Sequence, residues 1–226
     1  MSRDHGAGGV SRRRLLGGVA AAGVAATTAG ALRTAAAASA TTPTAYAFEG
    51  MHQQGILTPA QAHASYVSLD VTAESKREVV DLFRTLTATA RTLAHGGTPA
   101  DVGIAAPPAD SGVLGPEVPS DGLTITASVG ASLFDDRFGL AARKPGRLRR
   151  MENFPNDALD RARCDGDLLL QICAEHQDAT LHALREITRV TRGGLQVRWR
   201  RDGFSSPPRP SGHPRNLMGF HDGTAN

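Results

Sequence analysis

The stretch DLLLQICAEHQDATLHALREITRVTRGGLQVRWRRDGF, residues 167–204, decides the fold. Its first ten residues are a largely apolar run of strand length, and its last ten alternate as a strand does, with Val197 and Trp199 predicted on one side. Between these runs, Asp178 is the predicted N-cap of a helix that the Gly-Gly pair at 193–194 ends. The apolar face of this helix is formed by Leu181, Leu184, Ile187 and either Val190 or Thr191. The stretch therefore predicts a strand-helix-strand unit.

A similar unit precedes it in the chain. AHASYVSLDV, residues 62–71, and GLTITASVG, residues 122–130, alternate between apolar and polar positions and are predicted as strands. Between them an amphipathic helix is predicted, with Ser75 and Glu78 as a capping box and the glycine pair at 96–97 as its end. Its apolar face is formed by Val79, Phe83, Leu86, Ala90 and Leu93.

Two such units in tandem predict an α+β domain with the ferredoxin-like order βαββαβ, a four-stranded antiparallel sheet with both helices on one face. The predicted domain covers residues 62–206, and long loops interrupt it at 98–121 and 131–166. A linker and arm at 41–61 precede the domain. Residues 207–226 form a Pro-rich connector and the start of a second domain.

Residues 1–40 resemble an export signal. SRRRLL, at 11–16, precedes a mildly apolar run of Ala, Gly and Val, and ASA at 38–40 offers a cleavage site. The arginine pair at 12–13 is typical of a twin-arginine signal, whose export machinery carries folded, often cofactor-loaded proteins across a membrane. The mature chain is then expected in the periplasm, on the cell surface or outside the cell, with no stable membrane span. An uncleaved membrane anchor is the alternative.

The charge distribution argues against a nucleic-acid partner. The chain of 226 residues has 25 basic and 22 acidic residues. Residues 1–40 hold five of the basic residues and one acidic residue, so the remainder is close to neutral. A basic run at 143–150 is either a solvated face or a functional surface, and the sequence leaves both interpretations open.

Histidines and cysteines show no metal-binding spacing. The eight histidines form no ligand pattern, and His176 and His182, which flank the predicted helix start, are expected at the surface rather than as metal ligands. Cys164 and Cys173 match no C-x-x-C pattern. A loop cysteine and a buried cysteine are favoured over a disulfide between them, which stays possible after export.

The string GFHDGTAN, residues 219–226, allows two interpretations. Asp-Gly is a common turn sequence, because aspartate tolerates turn geometry and glycine adopts positive φ. Alternatively, the flanking glycines let the backbone approach a flat ligand closely while one carboxylate is held over it.

Five stretches resemble one family. NLMGFHDGTAN, residues 216–226, is similar to the GxxDG signature of the dye-decolorizing (DyP-type) haem peroxidases, particularly their exported, deferrochelatase-like branch. The other stretches resemble the same branch in the same order, and they are GMHQQGILTPAQ at 50–61, VGASLFDDRFGL at 129–140, MENFPND at 151–157 and DLLLQICAEHQDAT at 167–180. The similarity extends from Phe48 to Asn226.

The resemblance implies two ferredoxin-like domains, of which this chain contains the first, with haem b bound in the second. It implies that Asp222 is the distal acid-base residue, which takes a proton from hydrogen peroxide and returns it to the departing oxygen. Gly223, Thr224 and Ala225 match positions that contact the haem. His221 occupies a variable position and is given no role.

Two functional residues of the family have no counterpart in this sequence. The family's proximal histidine and distal arginine lie downstream of GxxDG, so none of the eight histidines is carried over as the iron ligand. The resemblance therefore implies an N-terminal fragment that binds haem poorly and turns over negligibly by itself.

Three functions follow as alternatives. The full-length protein would reduce hydrogen peroxide and oxidise small organic donors such as dyes or phenols. At the same site it could instead release iron from haem and leave the porphyrin intact. The alternative from another class is a non-catalytic module for haem carriage or assembly, and a homo-oligomer is a family expectation.

Overall fold

The computed structural model describes residues 45–207 and 212–221, so the predicted signal at 1–40 lies outside the described residues. The described helices and strands are β1 (His63–Val71), α1 (Lys76–His95), β2 (Thr124–Val129), β3 (Leu168–Ala174), α2 (Gln177–Val190) and β4 (Leu195–Phe204). The strands pair in the order β2-β3-β1-β4, and each pair is antiparallel. The α+β, ferredoxin-like prediction is confirmed. Neither α1 nor α2, nor any other helix in the described part of the chain, is long and apolar enough to cross a membrane.

The hydrophobic core lies between the sheet and the inner faces of α1 and α2. On α1 the inner face includes Leu82, whereas the predicted Phe83 is only partly buried. Val190, the last residue of α2, is 37% exposed, whereas the next residue, Thr191, is buried. Of the two residues that the sequence allowed on the apolar face, Thr191 is therefore the buried one. The strands contribute Val67, Leu69, Val71, Leu168, Leu170 and Ile172.

The start of α1 follows its capping prediction. Ser75 is the N-cap, and its hydroxyl accepts a hydrogen bond from the N–H of Glu78 at 3.2 Å. The Glu78 carboxylate accepts in turn from the N–H of Glu74 at 2.9 Å, one residue before the N-cap. Gly96, with φ of 71°, ends the helix.

The start of α2 differs from its prediction. The N-cap is His176, and Asp178 lies inside the first turn, so the predicted N-cap was wrong by two residues. The capping carboxylate comes from Asp121, at the end of the loop 98–121. Its Oδ2 accepts from the N–H of His176 at 2.9 Å, and its Oδ1 lies 2.6 Å from His176 Nδ1. A cap from another segment has no local sequence signal.

A β-bulge in β4 overturns a second prediction. Ser68 of β1 is paired with Trp199, whereas the next residue, Leu69, is paired with Val197, so Arg198 is the additional residue. Adjacent residues of β1 point to opposite faces, so Trp199 and Val197 also lie on opposite faces. The prediction that they share a side was wrong for this reason.

The N-terminal arm covers the edge strand β2. The Gln53 side-chain amide donates to the carbonyl of Ala127 and accepts from the N–H of Ala127, both at 3.0 Å. These two bonds imitate those of a neighbouring strand. The Thr126 hydroxyl donates to the carbonyl oxygen of Gln54. The arm therefore satisfies part of an edge that would otherwise present unpaired backbone groups.

Candidate functional site

The described part of the GxxDG segment is a tight loop that ends one residue before Asp222. The N–H of Asn216 donates to the carbonyl of Phe220, and the N–H of Gly219 donates to the carbonyl of Asn216, both at 2.9 Å. Asn216 Oδ1 also accepts from the N–H groups of Met218 and Phe220 at 3.0 Å. Gly219 has φ of 87°, which glycine adopts without a steric penalty. The loop is thus closed by its backbone and by one side-chain amide.

The predicted site residues themselves lie outside the described residues, and they are Asp222, Gly223, Thr224 and Ala225. Their roles stay predictions. The preceding residue, His221, forms an isolated antiparallel bridge with Arg215, and its Nδ1 lies 3.0 Å from the carbonyl oxygen of His213. His221 thus helps to hold the loop closed.

The described residues of this loop expose apolar side chains. Leu217 is 97% exposed, Met218 82% and Phe220 64%. Apolar side chains grouped at this exposure are typical of a surface that another group covers. The loop therefore offers apolar contact area in the residues that directly precede Asp222 in sequence.

A charged cleft of about 780 Å³ lies between the end of β1 and the loop 131–166. Arg137 and Asp167 line this cleft. Arg137 Nη2 lies 3.0 Å from both carboxylate oxygens of Asp167, and Arg137 Nε lies 2.7 Å from Asp135 Oδ2. Burial by itself would lower the pKa of Arg137, but the hydrogen bonds to the two carboxylates outweigh burial and raise it. Arg137 therefore stays charged.

Other arginines neutralise the remaining acids of this cleft. Arg198 Nη1 lies 3.0 Å from Asp70 Oδ2, and Arg150 Nε lies 2.6 Å from Asp165 Oδ2. Arg150 belongs to the basic run at 143–150, so part of that run has a structural partner. The cleft lining also includes two other basic side chains, Lys144 and Arg149.

The described lining of the charged cleft does not match the iron site of a haem peroxidase. Peroxidases hold haem iron through a proximal histidine, and the described lining of the cleft contains no histidine.

His182 was wrongly expected at the surface. It is 1% exposed on the inner side of α2, and its Nε2 lies 2.6 Å from Oδ2 of Asp110 in the loop 98–121. The sequence contained one signal, the four-residue spacing of His182 and Glu186, which puts both on one face of a helix. The partner Asp110 has no such signal. The side chain of His176, in contrast, is 75% exposed, as predicted.

Sequence comparison identifies the family. A family model described as "Dyp-type peroxidase, N-terminal" matches residues 53–205. The chain belongs to the DyP-type peroxidase family. Deferrochelatases from Yersinia pestis (strain Nepal516) and Escherichia coli K12 are 50% and 52% identical to this DyP-type chain over 183 and 184 residues. The matches cover 79% of this chain and 42% and 44% of those proteins. The chain thus spans less than half the length of these relatives.

Solved structures agree with this assignment. Crystal structures of DyP-type peroxidases from Cellulomonas bogoriensis and Streptomyces coelicolor are 34% and 38% identical to the DyP-type chain, each with a TM-score of 0.69. Both matches cover 82% of this chain, and they cover 50% and 49% of those chains. An oxyferrous complex of DtpA from Streptomyces lividans matches with the same TM-score and 38% identity. Fold and family are therefore as the sequence predicted.

Proposed function

We propose that this DyP-type chain provides the acid-base side of a peroxide-reducing site in a haem b peroxidase. Family membership supports the proposal, and the closed loop at 212–221 leads the chain directly into Asp222. The overall reaction reduces one hydrogen peroxide to two waters with two protons and two electrons. Small organic donors such as dyes or phenols supply the electrons and are oxidised. The haem, when bound, supplies the redox chemistry.

In this proposal Asp222 moves one proton. Its ionised carboxylate accepts a proton from one oxygen of hydrogen peroxide and delivers it to the other oxygen, which leaves as water. Gly223, Thr224 and Ala225 would contact the haem, and the small glycine would let the backbone approach it closely. The distal arginine and proximal histidine of the family are expected downstream of this sequence.

A second activity is favoured by the relatives. The proteins at 50% and 52% identity are deferrochelatases, which supports release of iron from haem at the same site. In that reaction the iron leaves and two protons take its place on the ring nitrogens, so the porphyrin stays intact. A non-catalytic haem-carrying or assembly module is the remaining alternative.

The proposal includes the organisation of the chain. Residues 1–40 direct export by the twin-arginine route, and residues 62–206 form the first domain. Residues 207–226 connect it to a second, haem-binding domain. The mature protein would be periplasmic, surface-bound or extracellular, and a homo-oligomer is compatible with this arrangement.

Replacing Asp222 tests the proposed role. In the full-length protein, Asp222→Asn is expected to leave the haem content near normal and to slow the reaction with peroxide by about 10²- to 10⁴-fold, because the proton acceptor is lost. Stopped-flow absorption at the Soret band measures this rate. His52→Gln, in the exposed N-terminal arm, is the control and should react at the wild-type rate. A wild-type rate for Asp222→Asn removes Asp222 from the mechanism.

Three further measurements test the alternatives. Fluorescence of iron-free porphyrin after incubation with haem reports iron release, whereas oxidation of a dye by hydrogen peroxide reports peroxidase activity. A haem titration of residues 41–226 should give no stoichiometric Soret band. A stoichiometric band with normal turnover would contradict the fragment hypothesis.

A further inference from the structure

The long loop 98–121 is fastened to α2 by buried polar groups. The base of the loop is closed by a two-way backbone pairing of Gly97 with Val118, at 2.7 and 2.9 Å. Near its middle, Asp110 Oδ2 lies 2.6 Å from His182 Nε2 on α2. Asp110 is thereby held against a helix from which it is 72 residues distant in sequence.

We propose that Asp110, His182 and Glu186 form a binding site for a divalent transition-metal ion. One ligand atom from each of the three lies within 4.8 Å of the other two. His182 is 1% exposed and Glu186 4%, while the Asp110 side chain is 12% exposed. One imidazole nitrogen with two carboxylate oxygens suits zinc, manganese or ferrous ions. Magnesium and calcium prefer oxygen ligands alone.

The helix supplies two of the three ligands. His182 and Glu186 are four residues apart on α2, so their side chains lie on the same face, one turn apart. The same spacing carries two metal ligands in known helical zinc sites. Asp110 approaches this face from the loop. The helix therefore fixes the positions of two ligands, and the loop that carries Asp110 supplies the third.

The Glu186 carboxylate is already oriented. Its Oε1 accepts from the N–H of Ser111 at 2.8 Å, and its Oε2 accepts from both Nε and Nη2 of Arg189. A carboxylate oxygen has two lone pairs, so Oε2 is fully used, whereas Oε1 accepts one bond and can still bind a cation. Arg189 compensates one of the two carboxylate charges. An imidazole that binds a metal ion is neutral, so one net negative charge from the two carboxylates would face the cation.

Ser111 adds an independent observation. Its hydroxyl oxygen is buried and has no hydrogen-bond partner in the described part of the chain. Buried polar atoms are almost always satisfied by protein, water or an ion. Ser111 follows Asp110 directly, and its N–H already bonds Glu186. A cation at this site, or a water bound to that cation, would offer the hydroxyl a partner.

An ion could reach the site from solvent. Asp110, His182 and Glu186 all line a cleft of about 380 Å³. Two ligand atoms on one tetrahedral zinc ion lie roughly 3.4 Å apart, because each is about 2.1 Å from the metal. The direct contact of 2.6 Å between Asp110 Oδ2 and His182 Nε2 must therefore widen by about 0.8 Å. Asp110 lies on a loop, which permits that shift.

Zinc binding to the 226-residue chain tests the proposal. After chelation and removal of the chelator, calorimetric titration near pH 7 should show one zinc ion per chain, and Co²⁺ should give the absorption bands of a nitrogen- and oxygen-ligated site. Asp110→Asn and Glu186→Gln should each weaken binding at least about tenfold, and His182→Gln should abolish it. Zinc should also raise the melting temperature of the wild type but not of Asp110→Asn.

His176→Gln is the matched control. His176 has the same 2.6 Å contact with an aspartate, Asp121, but no third ligand joins this pair within the described residues. This variant should bind zinc as the wild type does. Absence of zinc binding by the wild type overturns the proposal, and so does unchanged affinity in Asp110→Asn. If His182→Gln fails to fold, Asp110→Asn decides the question, because it changes only a loop side chain.

Discussion

Arg137 holds the carboxylate of Asp167 with Nη2 3.0 Å from both oxygens, and the Asp167 side chain is only 4% exposed. Asp167 Oδ2 also accepts from the N–H of Val71 at 2.9 Å, and Arg137 Nη1 donates to the carbonyl of Val71 at 3.1 Å. One ion pair therefore joins the end of β1, the start of β3 and the loop 131–166. That loop includes short 3₁₀ helices at Ala131–Phe134, Asp136–Phe138, Ala141–Arg143 and Arg161–Arg163.

Removing Arg137 should destabilise the domain. Arg137→Met keeps much of the side-chain length but leaves the buried Asp167 charge without its partner, which is expected to lower the free energy of unfolding by about 3 kcal/mol. Urea denaturation measures the change. Arg163→Met is the control, because the Arg163–Asp160 pair is 3.5 Å apart and mostly exposed, and it should cost less than about 0.5 kcal/mol. Equal losses in the two variants would contradict a structural role for the buried pair.

Gly130 should not tolerate a side chain. Its φ of −86° suits any residue, but a Cβ there would collide with the carbonyl oxygen of Gly166. Gly130→Ala is therefore expected to lower the free energy of unfolding by about 1–3 kcal/mol through overpacking. Gly146→Ala is the matched control, since a Cβ at Gly146 meets nothing within 4 Å, and it should change stability by less than about 0.5 kcal/mol. Thermal unfolding of both variants decides whether the collision matters.

The His176–Asp121 pair should make stability depend on pH. The hydrogen bond and the charge of Asp121 raise the pKa of His176 above its ordinary value of 6.5. The contribution of this pair to the free energy of unfolding is fully present below the pKa that His176 has in the unfolded chain. It is lost as the pH rises through the raised pKa that His176 has in the folded chain. The free energy of unfolding of the wild type should therefore exceed that of His176→Gln by more at about pH 5.5 than at about pH 8.5. The change between the two pH values should be less than about 1 kcal/mol, because the ring is exposed.

Urea denaturation at both pH values measures this difference, and an NMR titration of His176 reports its pKa directly. His52→Gln, in the exposed N-terminal arm, is the control and should follow the wild type. A difference between wild type and His176→Gln that grows with rising pH would reverse the sign and contradict the assignment.

The two cysteines should react at different rates. Both are free, and Cys173 is buried in β3 whereas Cys164 is only partly buried in the preceding loop, as the sequence favoured. Burial raises the pKa of the Cys173 thiol, which lowers its thiolate fraction near pH 7. A thiol reagent should therefore modify Cys164 first and Cys173 only after urea is added. Mass spectrometry of Cys164→Ser should show almost no native labelling, and rapid labelling of that variant would refute the prediction.

Much of the fold follows from local patterns. Alternating strands, a 3.6-residue helical period and glycine stops predicted the six elements and their order, because each pattern depends on neighbours a few residues apart. The Ser75–Glu78 capping box was found in the same way. The errors occurred where a distant segment intervenes. Asp121 accepts the N–H of the N-cap residue His176, whereas Asp178 accepts the N–H of Ala179 from within the first turn of α2. The bulge at Arg198 turns Trp199 and Val197 to opposite faces.

The sequence by itself determined the fold class, the family and the position of Asp222 in a GxxDG motif, since these depend on residue order alone. Only the tertiary structure decided that His182 is buried and that Asp110 meets it across a long loop. It also placed Arg137 against Asp167. Contacts between distant segments depend on which loop fills which space beside the sheet. Burial then makes each polar partner necessary, because an unpaired charge or amide away from water costs free energy.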